Sequence, residues 1–251
     1  MTRGLKAALA IALSFAIRCT PAQTAQPHAS HVPFAGCKSD GQVGPQEAPS
    51  GHSKAVSIPT EAAEKLAYYR ANEGVGVLAP RGWYCFGTYG SNGSTLYVSP
   101  TPIRNNDLFF ATKGFTGPVI QLSSISGDTS GRFTVARSIA RVFPGHQEFV
   151  KNVIAEGIES SDAFPSGPYP ADKLTYKSKE LVEYETPAQS EGLGTASRLL
   201  KNASPIRGAA ILVGDTPDLV FLAVRLSPDF EKLTSAIIEQ TESDAADQDD
   251  H

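Results

Sequence analysis

Short apolar strands joined by tight turns constrain this chain more than any other feature of its sequence. Residues 83–89 and 94–99 are rich in aromatic and β-branched side chains, and they flank the turn pair Asn92-Gly93. A second pair of apolar runs flanks residues 214–218, where Gly, Asp and Pro favour a turn. Turns this short join antiparallel neighbours, because parallel strands need a long crossover between them. The pattern therefore predicts a mainly antiparallel sheet.

Four segments carry the apolar spacing of amphipathic helices. The first opens at Pro59, places Ala62, Leu66 and Tyr69 at helical spacing, and stops at Gly74. The others begin near residues 134, 146 and 228. Helices that are grouped in runs, rather than alternating with strands, are typical of α+β proteins. We therefore predict an α+β fold with about six or seven strands in a mainly antiparallel sheet and about four amphipathic helices packed on it.

Residues 1–22 have the order of a secretory signal peptide. Arg3 and Lys6 precede an apolar run, and small and polar residues follow it. The run is too short to span a bilayer, which requires roughly 20 apolar residues, and no second long apolar stretch occurs in the sequence. We therefore expect an exported protein, periplasmic or secreted, without a transmembrane anchor.

Composition divides the rest of the chain into three parts. Residues 23–57 are rich in Pro, Gly, Ser, Gln and His, which predicts a flexible linker. Residues 58–241 carry the strand and helix patterns and predict a single α+β domain. Residues 242–251 contain several acids and neither Lys nor Arg, which predicts a disordered acidic tail.

Export determines how the cysteines are interpreted. Of the three, Cys19 lies on the leader side of any cleavage near Ala22 or Ala25. Cys37 and Cys85 then remain, and in an oxidising compartment such a pair is expected to be bridged. The bridge closes a loop of about 48 residues, which contributes roughly 4 kcal/mol of stability in the chain-entropy account.

Charge and motif spacing argue against several partners. The formal net charge is −4, and the domain without its acidic tail is near neutral, so it lacks the basic surface of a nucleic-acid-binding protein. No two histidines of the domain share a helix face, and the two cysteines are far apart, so no metal site is predicted. The glycine-rich residues 191–195 lack the following lysine of a phosphate-binding loop. We expect no cofactor.

Gly127-Asp128-Thr129-Ser130-Gly131 resembles the nucleophile loop of trypsin-like proteases, but the match fails in detail. Thr129 displaces the serine by one position, and the upstream histidines all lie in the predicted linker. We interpret the segment as a turn before a helix, with Ser130 or Thr134 as the capping residue.

His146 is the only histidine within the predicted domain, so it is the one candidate for a histidine general base. It follows Pro144-Gly145 at the start of a helix, where an exposed surface position is expected. No Gly-x-Ser-x-Gly motif accompanies it. One alternative nevertheless stays open, a periplasmic or secreted hydrolase that uses His146 with a serine and a carboxylate brought together by folding.

Trp83, Tyr84, Tyr89 and Tyr97 form a candidate binding face on the first hairpin, although aromatic residues are equally good sheet formers. Residues 191–195 are expected to form a mobile surface loop, with a lid as the alternative. A groove between Tyr89 and this loop would favour ligand binding. We find no catalytic residue set, and predict a non-catalytic exported module, binding or structural, whose ligand is a protein, a peptide or a small molecule.

Overall fold

The computed structural model describes residues 30–105, 108 and 114–249. The predicted signal peptide and Cys19 lie outside the described residues. Within them, thirteen β-strands and four α-helices are formed, with short 3-10 helices between some of them. The protein is therefore an α+β domain with a large, mainly antiparallel sheet, which confirms the prediction made from the turns and the helical periodicity.

An eight-stranded sheet lies at the centre of the molecule. Its neighbours are antiparallel, except for the parallel pair β7 and β3 at one edge. Both predicted hairpins, β7–β8 and β12–β13, are present. In spatial order the strands are β10 (Lys173–Tyr176), β11 (Leu181–Thr186), β12 (Ile206–Val213), β13 (Asp218–Arg225), β9 (Val119–Ile125), β8 (Gly93–Ser99), β7 (Tyr84–Gly90) and β3 (Ser39–Gly41).

Two smaller sheets and four helices complete the fold. One sheet pairs β1 (Ser30–Val32) with β4 (Lys54–Val56), and the other orders β2 (Phe34–Gly36), β5 (Leu66–Arg70) and β6 (Val77–Pro80). The helices are α1 (Thr60–Ala63), α2 (Arg132–Val142), α3 (Gln147–Ala155) and α4 (Thr234–Asp249). No helix among the described residues is long and apolar enough to cross a membrane.

Each face of the large sheet buries its own hydrophobic core, because successive side chains of a strand point to opposite faces. The first core joins Leu122 of β9 to Leu78 of the three-stranded sheet and to Ile237 of α4. The second core joins Phe221 of β13 to Ile139 of α2. The large sheet is thus the middle of three layers.

The first predicted helix is wrong in its length. Helix α1 ends at Ala63, and Leu66 begins strand β5, which runs to Arg70. Leu66, Ala67, Tyr68 and Tyr69 are all buried, and all four belong to the first core. A short apolar run of this kind fits a helix face and a fully buried strand equally well, so its periodicity does not separate the two.

The segments expected to be a linker and a tail are ordered and contact each other where they are described. Strand β4 lies in the first segment, and its Lys54 pairs with the buried Asp244 of α4 at 3.1 Å. The backbone N–H of Ser57 also donates to the Gln240 side chain at 3.2 Å. Neither segment has the apolar pattern to fold alone, so each is ordered by contact with the other and with the first core.

The predicted disulfide is present. Cys37 and Cys85 are bonded, with their Cα atoms 5.4 Å apart. Cys37 is buried in the first core, and its backbone N–H donates to the Arg70 carbonyl oxygen at 2.8 Å. The bridge therefore attaches the amino-terminal arm, residues 30–57, to the large sheet beside β5.

Candidate binding cavity

A cavity of about 380 Å³ opens beside the large sheet, at the end nearest the Asn92-Gly93 turn. Its floor is formed by β8 and β9, on the face of the sheet that also carries the second core. One wall is α2, and another is the chain after residues 191–195. The lining residues are Thr88, Tyr89, Asn92, Gly93, Ser94, Thr95, Tyr97, Gln121, Ser123, Ile125, Thr134, Ser138, Ala196, Ser197, Leu219 and Phe221.

The floor of the cavity is polar because of the alternation along two paired strands. Thr95 pairs with Ser123, and Tyr97 pairs with Gln121, so all four side chains share one face of the sheet. On the neighbouring strand β13 the same face carries Phe221, which packs in the second core. The cavity thus lies where this sheet face changes from apolar to polar.

Hydrogen bonds hold the polar floor in one arrangement. The Thr95 and Ser123 hydroxyl oxygens are 3.0 Å apart, and Gln121 Nε2 donates to Ser123 Oγ at 3.2 Å. Gln121 Oε1 accepts from the Arg198 backbone N–H at 2.9 Å. Because both ends of the Gln121 amide are engaged, its orientation is fixed, and the floor is organised before any ligand arrives.

Tyr97 closes the inner end of the floor. It is buried, and its ring lies 5.5 Å from that of Phe115. Burial raises the pKa of the Tyr97 hydroxyl, while the nearby Arg198 guanidinium opposes the shift. The phenol is therefore neutral near pH 7 and adds no charge to the cavity.

Helix α2 supplies the upper wall. Val135, Ile139 and other apolar residues of this helix pack into the second core. Thr134 and Ser138 lie one turn apart and line the cavity instead. Ser138 is buried, and no hydrogen bond joins its hydroxyl to any other described residue. The helix therefore places a hydroxyl group in the cavity that a ligand can satisfy.

Close backbone approaches position the mouth of the cavity. A Cβ atom on Gly93, where φ is +120°, would lie 2.0 Å from the Ser124 carbonyl oxygen. A Cβ atom on Gly131 would lie 2.6 Å from the Asn92 carbonyl oxygen. The hairpin turn therefore packs directly on β9 and on the start of α2, and larger residues would separate them.

A buried arginine holds the remaining wall. Phe115 and the residues 198–200 exchange backbone hydrogen bonds, with Phe115 N–H donating to the Arg198 carbonyl at 2.7 Å. Arg225, at the end of β13, is 2% exposed and donates to the carbonyl oxygens of Phe115 and Leu200. These contacts fix Ser197, whose hydroxyl donates to the Gly194 carbonyl at 2.6 Å.

The structure divides the four aromatic residues of the candidate binding face. Tyr89 and Tyr97 line the cavity. Trp83 instead packs edge-to-face on Phe230 in the first core, with ring centres 6.1 Å apart. Tyr84 is 52% exposed and lies away from the cavity.

Residues 191–195 are held in place rather than free as a lid. The Leu193 N–H donates to Asp172 Oδ2 at 2.7 Å, and the Gly194 N–H donates to Thr186 Oγ1 at 2.9 Å. Leu193 is buried in the second core. The segment forms a 3-10 helix, Leu193–Ala196, and Ala196 and Ser197 line the cavity directly after it. The cavity is therefore flanked by Tyr89 on one side and by the end of this segment on the other.

The segment that resembles a protease loop forms a turn, but its predicted cap is wrong. Gly131 occupies the N-cap position of α2, and no side chain caps it. Thr129 stabilises the turn, because its hydroxyl donates to the Ser126 carbonyl at 3.1 Å and accepts from the Gly131 N–H at 3.2 Å. Ser130 contacts Ser91, with 3.2 Å between their hydroxyl oxygens.

His146 lies outside the cavity, before helix α3, with Glu180 as its ionic neighbour. Its Nε2 atom is 3.8 Å from Glu180 Oε1, and the Ser178 hydroxyl donates to Glu180 Oε2 at 3.3 Å. The carboxylate stands between the serine and the histidine, whereas a catalytic triad needs the histidine between the other two. Among the described residues, no hydrogen bond joins His146 to a serine hydroxyl.

Sequence reasoning missed the polar floor and the helix wall. The available signals were Thr95, Gln121 and Ser123 at alternating positions of apolar strands, and Thr134 with Ser138 one turn apart. In the part of the chain that is described, no cluster of three or more His, Cys, Asp or Glu side chains has a metal-binding arrangement. Comparison of the chain with models of protein families, with curated proteins and with solved structures finds no match.

Proposed function

We propose that this chain is an exported, non-catalytic binding module that takes a small, uncharged, hydroxyl-rich ligand into the cavity above β8 and β9. The observation that carries the proposal is the chemistry of the lining. Hydroxyl and amide side chains predominate, and none of the lining residues that the structure describes is Asp, Glu, Lys, Arg or His. A charged ligand would lose its hydration there and find no charged partner among these side chains, whereas a neutral polar ligand exchanges one set of hydrogen bonds for another.

Aromatic and polar groups are combined in a way that suits a sugar ring. Tyr89, Tyr97 and Phe221 offer apolar surface, while Thr134 and Ser138 offer hydroxyl groups from the opposite wall. The apolar face of a pyranose packs on aromatic surface, and its hydroxyls donate and accept as serine and threonine do. The disulfide between Cys37 and Cys85 supports export, because such bonds persist in oxidising compartments.

The test is a titration of the mature chain with glucose, galactose, mannose, maltose and cellobiose, followed by amide chemical-shift changes. Glucuronic acid serves as the charged analogue. We expect at least one neutral sugar to shift the amides of β8, β9 and α2, and glucuronic acid to bind more weakly. The proposal fails if none of the neutral sugars binds, or if the charged analogue binds equally well.

A matched pair of variants localises the binding. Thr134→Tyr places a large ring in the mouth of the cavity from an exposed helix position and should weaken binding about tenfold or more. Thr116→Tyr makes the same change at an exposed position outside the cavity and should leave binding unchanged. Equal effects of the two variants would contradict the assignment of the site.

A secreted or periplasmic hydrolase is the second candidate, favoured only by the pair His146 and Glu180 at 3.8 Å. Incubation of the mature chain with simple ester and peptide substrates separates the two functions. Turnover that is abolished in His146→Ala would support the hydrolase and exclude a purely binding role. Turnover that survives in His146→Ala excludes His146 as the general base, and a wild-type chain without turnover leaves the hydrolase unsupported.

A further inference from the structure

A second cavity, of about 400 Å³, lies on the other side of the molecule between the amino-terminal arm and the end of β5. His52 and Lys54 line it from the arm, and Arg70 lines it from β5. Phe34, Tyr68 and Asn72 are also among its lining residues. In contrast to the first cavity, three of the described side chains that line it are basic, and none of them is acidic.

The arm side of this cavity is held rigidly although residues 47–53 form no helix or strand. A Cβ atom on Gly36 would lie 2.0 Å from the Pro49 carbonyl oxygen, and one on Gly51 would lie 2.7 Å from the Phe34 ring. The chain is therefore packed against β2 at two points. Asn72 Nδ2 closes the far end by donating to the Glu47 carbonyl oxygen at 3.0 Å.

The disulfide fixes the other side. Arg70 is the last residue of β5, and its carbonyl oxygen accepts from the N–H of Cys37 at 2.8 Å. Cys37 is also bonded to Cys85 of the large sheet, so a covalent bond holds the arm at the point where it meets the end of β5. The basic groups are thus arranged in advance, which lowers the entropic cost of binding.

The positive charge is only partly neutralised within the protein. Lys54 pairs with Asp244 at 3.1 Å, and its ammonium group also lies 5.2 Å from the centre of the Tyr68 ring. Glu47, the nearest acid on the arm, pairs with Lys38 at 2.8 Å. Arg70 is exposed and lines an adjoining cavity with Asp244 and Asp247, but within the described part of the chain no acid is close enough to form an ion pair with it. A planar guanidinium in this situation suits a doubly hydrogen-bonded oxyanion.

We infer that this second cavity binds a small oxyanion, a phosphate or carboxylate group, held by Arg70 with His52 and Lys54 beside it. Arg70 supplies two parallel N–H donors, His52 supplies a ring N–H donor, and Lys54 adds positive charge. The site is independent of the neutral cavity, which lies on the opposite face of the large sheet. It also depends on the disulfide, since the arm carries two of its three basic residues.

The experiment is a titration of the mature, oxidised chain with sodium phosphate and, separately, with sodium citrate, at constant ionic strength set with sodium chloride. Amide chemical shifts of Arg70, His52 and Lys54 are followed. We expect saturable shifts with at least one of the two anions. The anion that binds more tightly identifies the preferred group. The absence of saturable shifts with both anions would overturn the inference.

Two comparisons make the test specific. Arg70→Gln should raise Kd about tenfold, because it removes a charge-assisted hydrogen-bonding group, whereas Arg104→Gln, at an exposed arginine outside the cavity, should leave Kd unchanged. Reduction of the disulfide should weaken binding of the anion, whereas binding of any sugar in the first cavity should not change. An equal loss of affinity in the two arginine variants would show general charge attraction and would contradict a specific site.

Discussion

Glu242 is a carboxyl group whose ionisation the fold opposes. Burial and the neighbouring carboxylate of Glu183 raise its pKa from 4.5 to about 7, against the attraction of Lys177. Its Oε1 atom is buried without a hydrogen-bond partner. The folded protein therefore binds a proton at this site more tightly than the unfolded chain does.

This shift predicts a dependence of stability on pH. With the folded pKa above the unfolded value, the stabilising contribution is complete below about pH 4.5 and is lost as the pH rises to about 7. Glu242→Gln removes the titrating group, so the fall in stability between these pH values should become shallower. Urea unfolding at a series of pH values measures the free energy of unfolding of both proteins across this range.

Glu148→Gln, at an exposed position on α3, is the matched control and should keep the wild-type profile. The opposite shift at Glu185, whose pKa is lowered by Lys173 and Arg207, acts mainly below pH 4.5 and does not obscure the result. Parallel profiles for the wild type and Glu242→Gln would contradict the assignment.

At the scale of elements, helix α4 shows how a polar segment can be essential to a core. Residues 242–249 contain no large apolar side chain, and the sequence pattern therefore predicted a tail. In the structure Thr241 and Ala245 continue the face of Ile237 at one-turn spacing, and all three are buried. Small residues suffice here because the helix lies close to the sheet.

Adjacent alanines of α4 provide a direct test. Ala245 is 1% exposed, whereas its neighbour Ala246 is exposed. Ala245→Asp buries a charge without a partner and should lower the free energy of unfolding by roughly 2–4 kcal/mol. Ala246→Asp should change it by no more than about 0.5 kcal/mol. Urea unfolding measures both variants, and equal small effects would mean that residues 242–249 do not dock.

At the scale of the whole molecule, the two hydrophobic cores share one sheet. Leu222 of β13 faces the first core, and Phe221 beside it faces the second. Loss of either core would leave the central strands with an exposed apolar face. We therefore expect the domain to unfold as one cooperative unit.

Two probes test this cooperativity. Trp83 is the only tryptophan and packs against the first core, so its fluorescence reports on that core. Far-ultraviolet circular dichroism reports on all strands and helices, including α2 and α3 over the second core. The two unfolding midpoints in urea should coincide. Separate midpoints would show that the cores unfold independently.

The features that can be predicted from the amino-acid sequence are those whose physics is local. The Asn92-Gly93 pair and the turn at residues 214–218 specify their hairpins because only certain residues adopt those backbone conformations. The spacing of α2 and α3 specifies a helix face, and the two cysteines outside the predicted signal peptide identify the disulfide.

Tertiary structure alone decided which segments are buried and where polar groups meet. The first four residues of the strand Leu66–Arg70 are buried by distant parts of the chain, and residues 30–57 and 242–249 contact each other although they are far apart in sequence. Thr95, Gln121, Thr134 and Ser138 form one cavity only after β8, β9 and α2 have packed together. Such contacts depend on burial by distant parts of the chain, which no local pattern of residues records.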